Sequence, residues 1–137
     1  MKHRPRNTKY KKQQKGKQCN KIGKPLSLFS LKKSITLKAV RFGKIKENHI
    51  ITCRKIIHKI LQKSGQLVIK ISADTPISKK PTEIRMGKGK GPLHHWAAKI
   101  SPGTVLFEVE GGSSLVAIKS LRQAQLKLPL KTKISKN

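Results

Sequence analysis

The sequence predicts an α+β domain preceded by a basic arm, and three observations carry that prediction. Short apolar runs bounded by glycine or proline recur from residue 34 onward. Two longer stretches instead space their apolar residues as helices do. Their order is strands, helix, strands, helix, with no internal repeat, which fits helices packed on antiparallel sheet rather than a βαβ fold. The 137 residues allow one domain, and the roughly 100 left after the basic ends suffice for one modest core. The expected organisation is an arm over 1–33, a domain over 34–134 and a polar end over 135–137.

Residues 1–33 carry Lys2, Arg4, Arg6, Lys9, Lys11, Lys12, Lys15, Lys17, Lys21 and Lys24 with few apolar anchors. Such a segment cannot by itself bury enough apolar area to offset its ordering entropy, so disorder is expected until a polyanion orders it. Tyr10 would either stack on a base or sugar, or touch the edge of the core. Residues 34–45 alternate, with Ile35, Leu37 and Ala39 on one face and Thr36, Lys38 and Val40 on the other, as a strand bending near Gly43. From Asn48 to Lys63, Ile50, Cys53, Ile57, Ile60 and Leu61 form an apolar stripe. Asn48 is the expected N-cap and Gly65 the residue closing the C-terminus. Leu67–Ile71 reads as a strand partly covered on both sides. Residues 73–81 form a turn-rich connection, since Pro76 and Pro81 exclude helix. Short strands are expected over 82–86 and 93–100. After the turn Ser101-Pro102-Gly103, residues 105–109 return as the second strand of a hairpin. Ser113 or Ser114 would cap a second helix with Ala117, Leu121, Ala124 and Leu128 on its buried stripe, Pro129 would end it, and 130–134 would add a last strand.

Charge narrows the function. Lys plus Arg number 33 against 5 acids, namely Glu47, Asp74, Glu83, Glu108 and Glu110, so complete pairing would still leave 28 positive charges (33 − 5). Salt screens their repulsion only beyond about 8 Å, and a polyanionic partner is expected. Nucleic acid leads and an anionic membrane surface is the weaker alternative, because the charge is spread through arm, loops and strands rather than along one amphipathic helix. No apolar run approaches the roughly 20 residues of a spanning helix. Cys19 and Cys53 lack CxxC spacing, which argues against a disulfide framework or zinc site. Cys53 reads as a small apolar residue on the first helix, and Cys19 as a free thiol among lysines.

The most informative segment is Arg85-Met86-Gly87-Lys88-Gly89-Lys90-Gly91. Glycine permits close backbone approach and positive φ, and each lysine between delivers a charge to a flat anionic surface. A Walker loop would need GxxxxGK followed by Ser or Thr between a strand and a helix, and neither condition is met. Backbone N–H groups and lysines both serve phosphates, so a nucleic-acid backbone is the better ligand. In His94-His95-Trp96, neighbours on a regular strand point to opposite faces, so the two imidazoles are not expected to converge on one ion. Trp96 reads as a core anchor, with one histidine left for RNA or solvent. The scattered acids form no carboxylate pair, and neither an enzyme, a cofactor nor a small-molecule substrate is expected.

In order, several segments resemble the bacterial-type large-subunit ribosomal protein L16 family, universal name uL16. Residues 5–16 (PRNTKYKKQQKG) resemble its basic N-terminal signature. Leu37-Lys38-Ala39 and Gly43-Lys44-Ile45 resemble its first strands, and Pro76 to Pro81 leads into the 85–91 loop, its most diagnostic motif. Trp96-Ala97-Ala98, Pro102-Gly103, residues 107–111 (FEVEG) and 127–133 (KLPLKTK) follow at the expected distances. The resemblance covers essentially the whole chain. It implies an α/β-hammerhead of the L16/L10e type on large-subunit rRNA near the base of the central protuberance, close to the A- and P-site tRNAs and to neighbouring large-subunit proteins. Carried over by position, Arg4, Arg6, Lys9, Tyr10, Lys11, Lys12, Lys15 and Lys17, with Arg85, Met86, Gly87, Lys88, Gly89, Lys90 and Gly91, are the rRNA and tRNA contacts it implies.

Departures from that pattern lie at 18–34, which lack its glycine- and arginine-rich character, at Pro92-Leu93-His94-His95, and in an alanine-poor last helix. Lysine outnumbers arginine 27 to 6 and isoleucine is common, as AT-rich coding would produce. With no transit extension expected, these features point to a protein made inside a mitochondrion, the alternative being a bacterial cytoplasm. The competing function is a free nucleic-acid chaperone or DNA-compacting protein. Either would bind with a log K against log salt slope of about −0.7 to −0.9 per neutralised phosphate, but only the first needs a defined rRNA site.

Overall fold

The computed structural model describes residues 3–14 and 34–136. The expected disorder of the arm, the roles of Lys15 and Lys17, and Cys19 therefore lie largely or wholly outside the described residues. Seven strands and two helices run β1 (Ile35–Ala39), β2 (Gly43–Lys46), α1 (Glu47–Leu61), β3 (Gln66–Ile69), β4 (Thr75–Ser78), β5 (Leu93–Ile100), β6 (Val105–Glu110), α2 (Ser114–Gln125) and β7 (Thr132–Lys136). They form two antiparallel sheets, ordered β3-β6-β1-β7 and β2-β5-β4. The α+β class and the order of elements agree with the sequence reading.

How the strands divide between the sheets does not. The single bent strand expected over 34–45 is two strands: β1 lies between β6 and β7, while β2 pairs with β5 in the other sheet. The expected 93–109 hairpin is absent. β5 pairs with β2 and β4, and β6 pairs with β1 and β3. The cause lies in the turn between them: Gly103 N–H donates to Ala39 O at 2.8 Å and Ala39 N–H to Thr104 O at 2.9 Å. The turn is thus spent on β1, and the chain leaving it enters the larger sheet.

Residues 73–81 hold a strand rather than only a turn-rich connection. Pro76 pairs opposite Trp96, which is tolerated because β4 is an edge strand with only one paired side. Conversely, 82–86 form no strand, since no neighbouring strand is there to pair with them. The final strand occupies 132–136 instead of 130–134.

α1 begins at Glu47, one residue before the expected cap, because β2 stays extended and paired to Ala97 through Lys46. Glu47 in the first turn suits the helix dipole. At the other end the positive φ expected of Gly65 falls on Gln62, with φ 51° and ψ −118°. Gly65 serves packing instead, since a Cβ there would lie 3.0 Å from Glu110 O. In α2, Ala117, Leu121 and Ala124 are buried as expected and Ser120 joins them, while Leu128 falls past the helix end and is partly buried.

α1 and α2 pack on each other. α2 also contacts β1, β6 and β7, while α1 contacts β2, β3 and β5. The core between them includes Leu37, Ile45, Ile50, Ile57, Leu106, Phe107 and Leu121, all fully buried. Cys53 packs there as expected. Its thiol approaches Ala124 O at 3.5 Å, and burial pushes its pKa up to about 11, so it stays protonated and inert. Glu108 is also buried and is held by the Ser34 hydroxyl, which donates at 2.5 Å, and by Lys70 Nζ at 3.2 Å. Phe107→Ala should cost about 3–5 kcal/mol through loss of apolar burial and the cavity left behind. Urea unfolding of the two proteins measures this, and a cost below about 1 kcal/mol would contradict the packing described.

Candidate nucleic-acid interface

Among the described residues no lysine or arginine is buried. The core tolerates none of the described excess charge, which sits at or near the surface, and two segments concentrate it. β4 and β5 are joined by residues 79–92, and Lys79 N–H donating to Pro92 O at 3.1 Å closes the base of this long loop. Every residue from Pro81 to Lys90 is exposed. Gly87 and Gly89 have φ of 95° and 79°, and Lys88 between them has 52°. This left-handed run turns the chain at the tip and projects the lysines. Gly91 is required for a different reason: a Cβ there would lie 2.7 Å from Lys79 O, so the returning chain could not pass. Lys80 reaches back to donate to Gly87 O and braces the tip from within. Met86 is 95 % exposed, an apolar side chain among cations.

The arm comes to the same place. His3 O accepts from Ala73 N–H at 2.8 Å and from the Ser72 hydroxyl at 3.3 Å, which fixes the arm's start just ahead of β4. From there Arg4, Arg6, Lys9, Tyr10, Lys11 and Lys12 run along the surface with all six side chains exposed. At the far end Lys12 Nζ donates to Lys90 O at 2.7 Å, and Lys90 Nζ donates to Gln13 O. Tyr10 is 63 % exposed, and Lys9 Nζ lies 5.6 Å from its ring centroid. Of the residues expected to make contacts, the structure joins the far end of the described arm to the loop at Lys12, Gln13 and Lys90. Nothing in the sequence foretold the seam between Lys12, Gln13 and Lys90, because two lysines on distant segments carry no pairing signal.

The two histidines depart from expectation. Opposite β4, Ile77 pairs with His95 but Ser78 with Leu93, which leaves His94 as the extra residue of a β-bulge. The bulge breaks the alternation of side chains. Instead of pointing apart, the rings meet edge to face with their Nδ1 atoms 2.6 Å apart, so one donates and the other accepts. His94 is exposed and His95 half-buried, while Trp96 is buried as expected of a core anchor. The pKa of His95 is lowered, first by burial and then by Lys46, His94 and His49. His49 is lowered by burial and Lys46, and His3 chiefly by burial and Arg54, against a raising influence from Glu47. Among the described residues no group of three or more His, Cys, Asp or Glu is placed to hold a metal ion, and no helix is long and apolar enough to cross a membrane.

Comparison with known proteins places this geometry in a context. The family model described as "Ribosomal protein L16p/L10e" matches residues 5–135. The chain is similar to a protein named "Large ribosomal subunit protein uL16" from Halorhodospira halophila, with 41 % identity over 93 % of this chain and 92 % of that protein. Proteins of the same name from Paracoccus denitrificans and Cereibacter sphaeroides are 38 % and 37 % identical, each over 95 % of this chain and 93 % of its own length.

The lowered histidines set a pH dependence. The folded protein favours the neutral rings, so as pH falls through the ordinary imidazole value of 6.5 the unfolded chain takes up protons first. Stability is therefore held above that pH and lost below it. The melting temperature should fall between about pH 7.5 and 5.5 by scanning calorimetry at fixed ionic strength. A flat or rising melting temperature across that range would show that folding does not resist protonation of these rings.

Proposed function

Because the chain belongs to the ribosomal protein L16p/L10e family, we propose that its arm and glycine/lysine loop act as one grip on large-subunit rRNA. The chain is a structural, non-enzymatic constituent of the large ribosomal subunit. The observation that carries the reading of the grip is the convergence of Lys12 and Gln13 on Lys90. Cations on separate segments repel, and an arrangement that joins them makes sense where a phosphate run offsets the charge. Arg4, Arg6, Lys9, Lys11, Lys12, Lys15, Lys17, Arg85, Lys88 and Lys90 would serve phosphates. Gly87, Gly89 and Gly91 let the backbone approach, while Tyr10 and the exposed Met86 meet sugar or base. The loop tip, remote from the core, is the part suited to reach tRNA, and the rest of the surface is left for rRNA and neighbouring subunit proteins.

We place the protein in a mitochondrial large subunit, with a bacterial cytoplasm as the alternative. What supports this is the preference for lysine over arginine, 27 to 6, together with the abundance of isoleucine. Sucrose-gradient fractionation of organelle and whole-cell lysates, with the protein located by mass spectrometry, tests both statements. Co-migration with a mitochondrial large subunit through a high-salt wash is expected. Co-migration with ribosomes outside the organelle would refute the compartment alone. Recovery at the top of the gradient, or with DNA, would refute the ribosomal role and favour a free nucleic-acid chaperone.

A further inference from the structure

An open cleft of about 330 Å³ lies away from the loop tip, where the start of the arm crosses the β2–α1 junction and the first residues of β5. Its walls include Arg4, Lys46, Glu47, His94, His95 and Trp96. Two cations, two imidazoles, one indole edge and one carboxylate therefore face a space near the lower end of the size range of small-ligand sites. The Nδ1 atoms of His94 and His95 are used on each other. That leaves their Nε2 atoms for a ligand, and with the rings edge to face at 78° one of them can lie flat against a base while the other meets its edge. Glu47 makes no salt bridge among the described residues, so its carboxylate remains a hydrogen-bond acceptor.

We infer that this cleft receives one unstacked nucleotide of RNA, its phosphate held by Arg4 and Lys46 and its base against the imidazoles of His94 and His95. The inference rests on the RNA-binding reading above and shares Arg4 with that surface, while Lys46, Glu47, His94, His95 and Trp96 lie outside it. Unpaired RNA bases are held by stacking on flat side chains and by hydrogen bonds along their edges, and the cleft supplies both. The β-bulge is what makes the platform, because on a regular strand His94 would face away from His95. Glu47 sets the choice of base. Its two oxygens match the adjacent N1–H and N2 amine donors of guanine, whereas uracil offers a single N3–H, so guanosine is favoured over uridine.

Trp96 is the chain's sole tryptophan and lines the cleft, so its fluorescence reports occupancy directly. The full chain should be titrated at constant ionic strength with GMP, UMP and ribose 5-phosphate. Saturable quenching is expected with GMP, weaker quenching with UMP, and little with ribose 5-phosphate, which carries the charge without a base. His95→Ala should weaken GMP binding about tenfold, the effect of losing one stacking partner. Arg4→Ala, on the exposed arm and outside the core, should weaken it as well without touching the fold. Equal responses to all three ligands, no response, or unchanged GMP binding in Arg4→Ala would overturn the inference. A gel shift with a large-subunit rRNA fragment separates the two readings. Retained rRNA binding with a silent Trp96 would sink the cleft alone, and loss of both would sink the cleft and the grip together.

Discussion

Twenty-eight uncompensated positive charges on 137 residues are the constraint that the rest of the structure answers. At close range in a partly screened medium two like charges repel by about 1–4 kcal/mol, comparable to the worth of a core side chain. The fold meets this by keeping lysine and arginine out of the buried set among the described residues. The one fully buried acid, Glu108, sits with Ser34 and Lys70 on the sheet that carries the core. What remains is an α+β body whose apolar interior is ordinary and whose surface is unfinished without an anionic partner. Both the loop and the arm are attached where such a partner can complete them.

That attachment is mechanical. The β4–β5 hairpin belongs to the smaller sheet, and residues 81–90 of the loop it carries are all exposed. The arm is pinned at His3 just ahead of β4 and meets the loop again at Lys90. Arm and loop are thereby held by neighbouring parts of one edge, and movement of that edge moves both. The same crossing of arm over β5 creates the histidine-lined cleft, so its shape depends on the arm staying in place.

Much of this was legible in the sequence where the determining forces are local. β5 runs from Leu93 to Ile100 as its apolar pattern indicated, and the stripes Ile50/Cys53/Ile57/Leu61 and Ala117/Leu121/Ala124 are the buried faces of the helices. The alternating glycines and lysines marked an exposed loop, and the structure has one. Features set by distant partners were not legible. Apolar alternation marks residues 105–109 as a strand, but only the bonds between Ala39 and the Gly103-Thr104 turn decide that it joins β1 rather than β5. Pro76 excluded helix and marked a turn-rich connection, and it sits in an edge strand, while 82–86 had a strand's composition and no partner. The histidine pair escaped because a bulge is a mismatch between two strands and is invisible in either one alone. The order of family motifs carried the functional reading further than composition could, since composition alone admits any basic nucleic-acid binder.

The central claim is that arm and loop bind RNA as one surface, and a double-mutant cycle on Lys12→Ala and Lys90→Ala tests it most directly. Binding to a large-subunit rRNA fragment would be measured for both single variants and the double at one salt concentration. Each change removes one of the two hydrogen bonds of the Lys12–Lys90–Gln13 seam and leaves the other. If the seam unites the segments, only the double variant parts them, and it should lose more than the sum by about 0.5–1 kcal/mol or more. Strict additivity would mean that arm and loop meet RNA independently, and would contradict the account.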